Sequence, residues 1–155
     1  LKLMQGKKYA QAIKNLEESK TWPENLGVGK PFDDRIDERL EDWLVFQSYS
    51  KMGKKEESKI ALDHILSYQL YDKGSGSIKS SPDNLISIWA MREAGDSVEA
   101  TAFLRDWTSQ QPNNTIAQWV QQIYNGNRPN LPGALASNER FMLWNHYLSF
   151  SPAAE

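Results

Sequence analysis

A chain of 155 residues, 39% apolar and 25% charged, has enough apolar material for one self-supporting core without a metal or a disulfide. The formal net charge of −2 argues against a nucleic-acid binder, because phosphate recognition wants a clustered basic face. With no cysteine, thiol catalysis, thiolate metal sites and disulfides are excluded, and cytoplasm and periplasm are equally compatible.

No apolar run approaches the roughly 18 residues that a membrane-spanning helix needs, and no signal peptide is visible. Aromatics reach 11% with six Trp, whereas β-branched runs are scarce. Charge is uneven. Lys and Arg crowd the first 60 residues, whereas residues 101–155 hold only Arg105, Arg128 and Arg140 against Asp106, Glu139 and Glu155.

In chain order, apolar spacing predicts a helix tail over 1–5 and a helix over 8–21, then pairs over 35–52 with 54–69, 83–94 with 96–110, and 115–125 with 138–150. The fold class is therefore all-α, an irregular α-α superhelix of antiparallel pairs with about seven helices, expected as a single domain over 1–155. Asp37 or Asp34, Ser81 or Asp83, Asn114 and Ser137 are the expected N-caps. Three segments rich in Gly, Pro, Asn or Ser, at 24–34, 69–82 and 125–136, read as loops at the ends of helix pairs. In the last helix Phe141, Trp144 and Leu148, with Tyr147 beside them, make one apolar stripe.

Gly6, Gly53, Gly95 and Gly126 each close a helical stretch, where the residue past the end often needs φ > 0. From Gly95, a small residue falls at Ala100, apolar residues at Leu104 and Trp107, and a proline at Pro112. Gly53 is followed in the same register by Ser58, Leu62 and Ile65. The first unit carries one extra residue, so its set is Ala12, Leu16, Ser19 and Pro23. Tyr49 and Met91 each stand four residues before their glycine. A small side chain lets the second helix approach the first, the apolar residues continue that face, and proline ends the helix.

Small residue, aromatic, Gly, small residue, then Pro: in this order the units resemble tetratricopeptide repeats, well over 83–112, fairly over 37–68 and in part over 1–23 and 115–150. The family's usual Trp and Gly inside the first helix are absent, Asn84 and Ile88 standing there in the third unit. Because the chain starts at Leu1, without most of a leading helix for the first pair, it is expected to be the C-terminal part of a longer array; the alternative is that 1–9 is unpaired. The string Trp22-Pro23-Glu24-Asn25-Leu26-Gly27-Val28-Gly29-Lys30-Pro31 is similar to a segment of large bacterial proteins of unassigned function. Those join a mutarotase-like β-sandwich to C-terminal tetratricopeptide repeats, and the resemblance implies a carbohydrate-related context.

Candidate chemistry is sparse. Gly27-Val28-Gly29-Lys30 lacks the following Ser or Thr and the preceding strand of a phosphate-binding loop, so it reads as a structured turn. His64 and His146 have no partner at zinc-like spacing, and His64 reads as a half-buried surface residue. Asp33, Asp34, Asp37, Glu38, Glu41 and Asp42, interleaved with Arg35 and Arg39, read as a solvated helix start favoured by its dipole rather than an acid/base pair. No catalytic residue, cofactor site or metal site is expected.

Trp43, Trp107 and Trp144 sit on apolar stripes and read as packing between helices. Trp89 and Trp119 lie in leading helices, which line the concave face of tetratricopeptide arrays, and with Tyr124 they are the candidate partner-binding residues, although core packing is the favoured role of the two Trp. The expected function is a non-catalytic scaffold for a protein or peptide, whether upstream domains of its own polypeptide or a second copy. Neither nucleic acid nor a small-molecule ligand is expected. Two alternatives stand beside it: an accessory buttress for a carbohydrate-related enzyme whose active site lies upstream, and a part serving only stability and self-association.

Overall fold

In the computed structural model, which describes residues 1–21, 37–130, 133 and 138–150, the described chain is all-α. Its eight helices are α1 (Lys2–Gln5), α2 (Tyr9–Lys20), α3 (Arg39–Lys51), α4 (Lys55–Leu66), α5 (Asn84–Glu93), α6 (Ser97–Gln110), α7 (Thr115–Tyr124) and α8 (Glu139–Phe150). These bounds follow the apolar spacing to within a few residues, α3 beginning later and α4 ending earlier than expected, and the tail at the start is itself a short helix. None among the described residues is long and apolar enough to cross a membrane. The chain divides into two compact units, Leu1–Gln69 and Leu70–Glu155.

One turn geometry recurs in both units. The N–H just beyond each turn reaches back to a carbonyl in the last turn of the helix: Lys8 to Leu3 at 2.8 Å, Lys54 to Tyr49 at 3.0 Å, Asp96 to Met91 at 2.8 Å and Asn127 to Gln122 at 2.9 Å. The residue before that donor is left-handed, with φ of 56° at Lys7, 72° at Gly53, 94° at Gly95 and 82° at Gly126. This is the Schellman arrangement, which satisfies carbonyls that the helix cannot pair internally. The backbone carbonyls of Tyr49 and Met91 close the motif, as those of Leu3 and Gln122 do in the other two turns.

Gly6 departs from expectation. Its φ is −75°, and Lys7 takes the left-handed position instead. That accounts for the extra residue in the first unit: the turn is counted from Lys7, not from Gly6. In the first three turns the closing donor (Lys8, Lys54, Asp96) is also the N-cap of the next helix, and its carbonyl accepts the first helical bond, from Ala12, Ser58 and Ala100 respectively. The small residue of the repeat is therefore the first residue whose N–H is bonded within the second helix.

In the first unit α2 packs on α3, α3 on α4, and α1 on α2. Ala12, Ile13, Leu40, Trp43, Leu44, Val45, Ala61 and Ile65 are buried there. In the second unit α5 packs on α6, and α7 lies against both. Leu85, Ile86, Ile88, Ala100, Phe103, Leu104, Trp107, Ala117 and Val120 are buried. Of the expected caps, Asn114 does cap α7, its Oδ1 accepting from Ile116 and Ala117 at 2.9 and 3.1 Å. Asn138 performs this role for α8, accepting from the N–H groups of Arg140 and Phe141. Asp34 and Ser137 lie outside the described residues.

The segment expected as a loop over 69–82 is more ordered than a plain connection. Lys79 N–H bonds the Leu70 carbonyl at 2.9 Å, Tyr71 bridges Ile78 in antiparallel sense, and Gly76 turns the chain with φ 67°. Ile78 is buried, and Gln111 at the end of α6 donates to its carbonyl at 2.7 Å. An apolar residue inserted among Gly and Ser, with the bond to its carbonyl, thus pins the loop to the end of α6, which comes after it in the chain.

A Cβ on Gly95 would meet nothing within 4 Å, so Gly95→Ala tests backbone conformation alone. It should cost about 1–2 kcal/mol in urea unfolding, the penalty for a left-handed L-residue. An unchanged midpoint would show that the turn tolerates Ala.

Candidate functional site

In the first unit the acidic run is not uniformly solvated. Asp42 is buried, and so is Arg39, whose guanidinium donates to both carboxylate oxygens of Asp37 at 2.8 and 2.7 Å and stacks on the Tyr68 ring at 3.9 Å. The Asp42 carboxylate is divided between two helices. Lys20 Nζ of α2 donates to Oδ1 at 2.8 Å, and His64 Nδ1 of α4 meets Oδ2 at 2.7 Å. Helical periodicity explains the misreading: an acidic residue in the first turn of α3 is solvated only if no neighbouring helix covers it.

His64 is exposed rather than half-buried, and it answers to Asp42 rather than to adjacent Asp63. Among the described residues no hydroxyl is bonded to its ring. Among the described residues there is no group of three or more His, Asp or Glu able to hold a metal.

Lys20 is 15% exposed. Burial opposes its charge, but the hydrogen bonds and charges of Asp42 and Glu17 together outweigh burial and raise its pKa above the ordinary 10.5. A raised lysine pKa contributes stability that is fully present below the unfolded value and is lost as pH climbs through the folded one. Lys20→Met should therefore cost about 2 kcal/mol at neutral pH by leaving Asp42 short of a counter-charge. The gap to the unaltered chain should close above pH 10.5. A pH-independent gap in urea unfolding would show that the ammonium charge is not what matters.

The second unit holds a denser site. Ser81 Oγ accepts the Asp83 N–H at 3.2 Å, and Asn84 Nδ2 donates to the Lys79 carbonyl at 2.8 Å, which together fix the start of α5. Asp83 is the N-cap of α5, yet its side chain bonds none of the helix N–H groups. It turns to α8. Oδ1 accepts the Trp144 indole N–H at 2.6 Å, and Oδ2 accepts from Arg140 Nε at 2.8 Å and from Arg140 Nη2. The carboxylate side chain is 1% exposed and the arginine 24%. A buried carboxylate is tenable here because a guanidinium fork, an indole N–H and the positive end of α5 converge on it.

Aromatic rings surround that anchor. Trp144 lies 5.8 Å from Trp89 of α5 and 5.9 Å from Trp119 of α7, Phe141 stands edge-on to Trp119 at 5.5 Å, and Tyr147 is 6.2 Å from Trp89. The stripe of α8 is thus Phe141, Trp144 and Tyr147, all buried, with Leu148 only partly so. Moreover α8 is not simply the second member of a fourth pair, since its side chains reach α5 as well as α7.

Of the candidate residues, Trp89 and Trp119 come together beneath α8 and are buried. Tyr124 does not join them. Half-buried, it shares its hydroxyl with Thr101 at 3.1 Å and lies 5.7 Å beneath the Arg92 guanidinium. Trp43 and Trp107 are buried as expected, and the Nε1 atoms of Trp107 and Trp119 are buried with no hydrogen-bond partner among the described residues. Asp83 and Arg140 were not singled out as a pair by sequence. The signal was there in the spacing Arg140-Phe141-x-x-Trp144-x-x-Tyr147, which puts a cation at one end of an aromatic stripe. The strings 22–31, 27–30 and 33–34 lie outside the described residues.

No protein-family model, curated protein or solved structure matches the chain.

Asp83→Ala should lower unfolding stability by about 3 kcal/mol, because it leaves Arg140 without its carboxylate. Arg140→Lys, which keeps charge but loses the fork, should cost only about 1 kcal/mol. Equal losses in guanidinium melts would show that charge alone does not explain the anchor.

Proposed function

We propose that this chain is a non-catalytic helical-repeat scaffold of tetratricopeptide type that holds protein or peptide segments. The family reading is supported by the recurring Schellman turn with a small residue opening the second helix, seen at Ala12, Ser58 and Ala100. The docking reading rests on a single observation. One face of α5 and α7 carries a buried carboxylate flanked by two Trp, and it seats a whole helix through Arg140, Phe141, Trp144 and Tyr147. A buried anchor ringed by aromatics is how helix-binding surfaces obtain both affinity and specificity. The carbohydrate-accessory reading has its motif at 22–31, and no described residue adds to it.

Selection of a helical peptide library should be run against the full chain and against a variant with α8 weakened by Arg140→Ala and Trp144→Ala. Micromolar binders that protect α5 or α7 amides from hydrogen exchange are expected, and a parallel screen of neutral sugars should give no calorimetric heat. No peptide on either protein, or a sugar that binds, would overturn the proposal.

A further inference from the structure

Beyond the helix-docking reading, we infer that one end of the first unit is a further interaction surface: a lysine platform that takes an extended acidic segment of another protein. Every residue of it lies within Leu1–Gln69, so its failure and that of the α5–α7 reading are separable.

Topology gathers the lysines. Lys20 in the last turn of α2, Asp42 in the first turn of α3 and His64 in the last turn of α4 meet at one end of the unit. These helices therefore alternate in direction, and the start of α2, the end of α3 and the start of α4 share the other end. Lys7 and Lys8 stand in the turn before α2, and Lys51, Lys54 and Lys55 flank the turn between α3 and α4. All five are exposed. Lys54 reaches Glu57 at 3.4 Å, whereas Lys7, Lys8, Lys51 and Lys55 pair with no carboxylate among the described residues. Glu56 and Glu57 open α4, but no acidic residue at all occurs between 1 and 16.

These lysines stand against local preference. Lys7 takes the left-handed position with φ 56°, where the other three turns place Gly53, Gly95 and Gly126. Lys8 and Lys54 are the N-caps of α2 and α4, and Lys55 is the first residue of α4, at helix ends where the dipole disfavours a cation. The corresponding cap of α6 is Asp96, the residue type such a position favours. The fold therefore does not require lysine here. Choices that each cost stability, gathered at one end of one unit, mark a surface kept for function.

Complementary charge selects the partner. Packed helices lie ~8–10 Å apart, so the starts of α2 and α4, both helices packed on α3, are separated by roughly 20 Å. An extended segment of about six residues crosses that distance. Lysines, as flexible point charges, meet Asp and Glu from such a segment without demanding a fixed fork geometry. A phosphate chain fits less well. Its charge is uniform, so it meets Glu56 and Glu57, and the Tyr49 ring already has Lys54 over it at 5.7 Å rather than a free face for a base. A bilayer fits less well too, because Met52 is the one large apolar side chain exposed at this end among the described residues.

The test titrates a fluorescein-labelled decapeptide of Asp and Glu into the full chain by anisotropy at low ionic strength. Although the chain carries a net charge of −2, it should bind this peptide, and about 0.5 M salt should weaken binding at least about tenfold. Lys51→Gln with Lys55→Gln should weaken it at least about fivefold, whereas Lys14→Gln with Lys73→Gln, which removes equal charge elsewhere, should change it less than about twofold. Lys7→Gly with Lys8→Asp should weaken it at least about tenfold while the urea midpoint rises or holds. No binding up to millimolar peptide, equal losses in the two Gln pairs, or a fall in that midpoint would each overturn the inference. Tighter binding of a single-stranded oligonucleotide, or of vesicles about one-third anionic lipid, would overturn it by giving the lysines to another class of partner.

Discussion

A carboxylate kept from water must find its solvation inside the protein, and Asp83 does so by drawing Arg140 and Trp144 of α8 onto the N-cap of α5. That requirement positions the last helix. Aromatic contacts alone would let α8 slide or rotate over Trp89 and Trp119, because dispersion between rings is weakly directional. A guanidinium fork and an indole N–H on two oxygens of one carboxylate have direction, so they fix register along the helix and rotation about it. The first unit uses the same device more openly: Asp42 on α3 receives Lys20 from α2 and His64 from α4. In each unit one acidic side chain specifies how separate helices meet.

Beneath these anchors lies a constraint of the backbone. Each Schellman turn spends one left-handed residue to satisfy carbonyls of the outgoing helix, and its closing donor starts the next helix in three of the four cases. Helix pairs built this way leave little freedom between their members, so the small residues Ala12, Ser58 and Ala100 recur in the same place. Lys7 shows that glycine is favoured at the turn without being obligatory. An L-residue there costs free energy, and the short α1 that it closes has no buried residue to offset it.

Helix positions were legible from the sequence because apolar periodicity and Gly stops report local physics, and the bounds of α5 and α6 follow from 83–112 with little else. Burial of Trp43, Trp107 and Trp144 was legible for the same reason. Partnership was not. Asp83 and Arg140 are 57 residues apart, and Asp42 and His64 are 22, so no local window joins them. Both carboxylates read as helix-start residues, which is true of their backbone and misleading for their side chains. Trp89 and Trp119 read as core ahead of surface anchors, and only α8 lying across them shows which rings bury them.

Two indoles drawn to within about 6 Å of a third also make an optical system. Trp144 stands between Trp89 and Trp119, with ring separations of 5.8 and 5.9 Å, close enough for their electronic transitions to couple. The near-ultraviolet dichroism of the second unit then carries a component belonging to the trio rather than to any one ring. Seating of the last helix is thereby inscribed in the protein's own spectrum, readable without an attached dye.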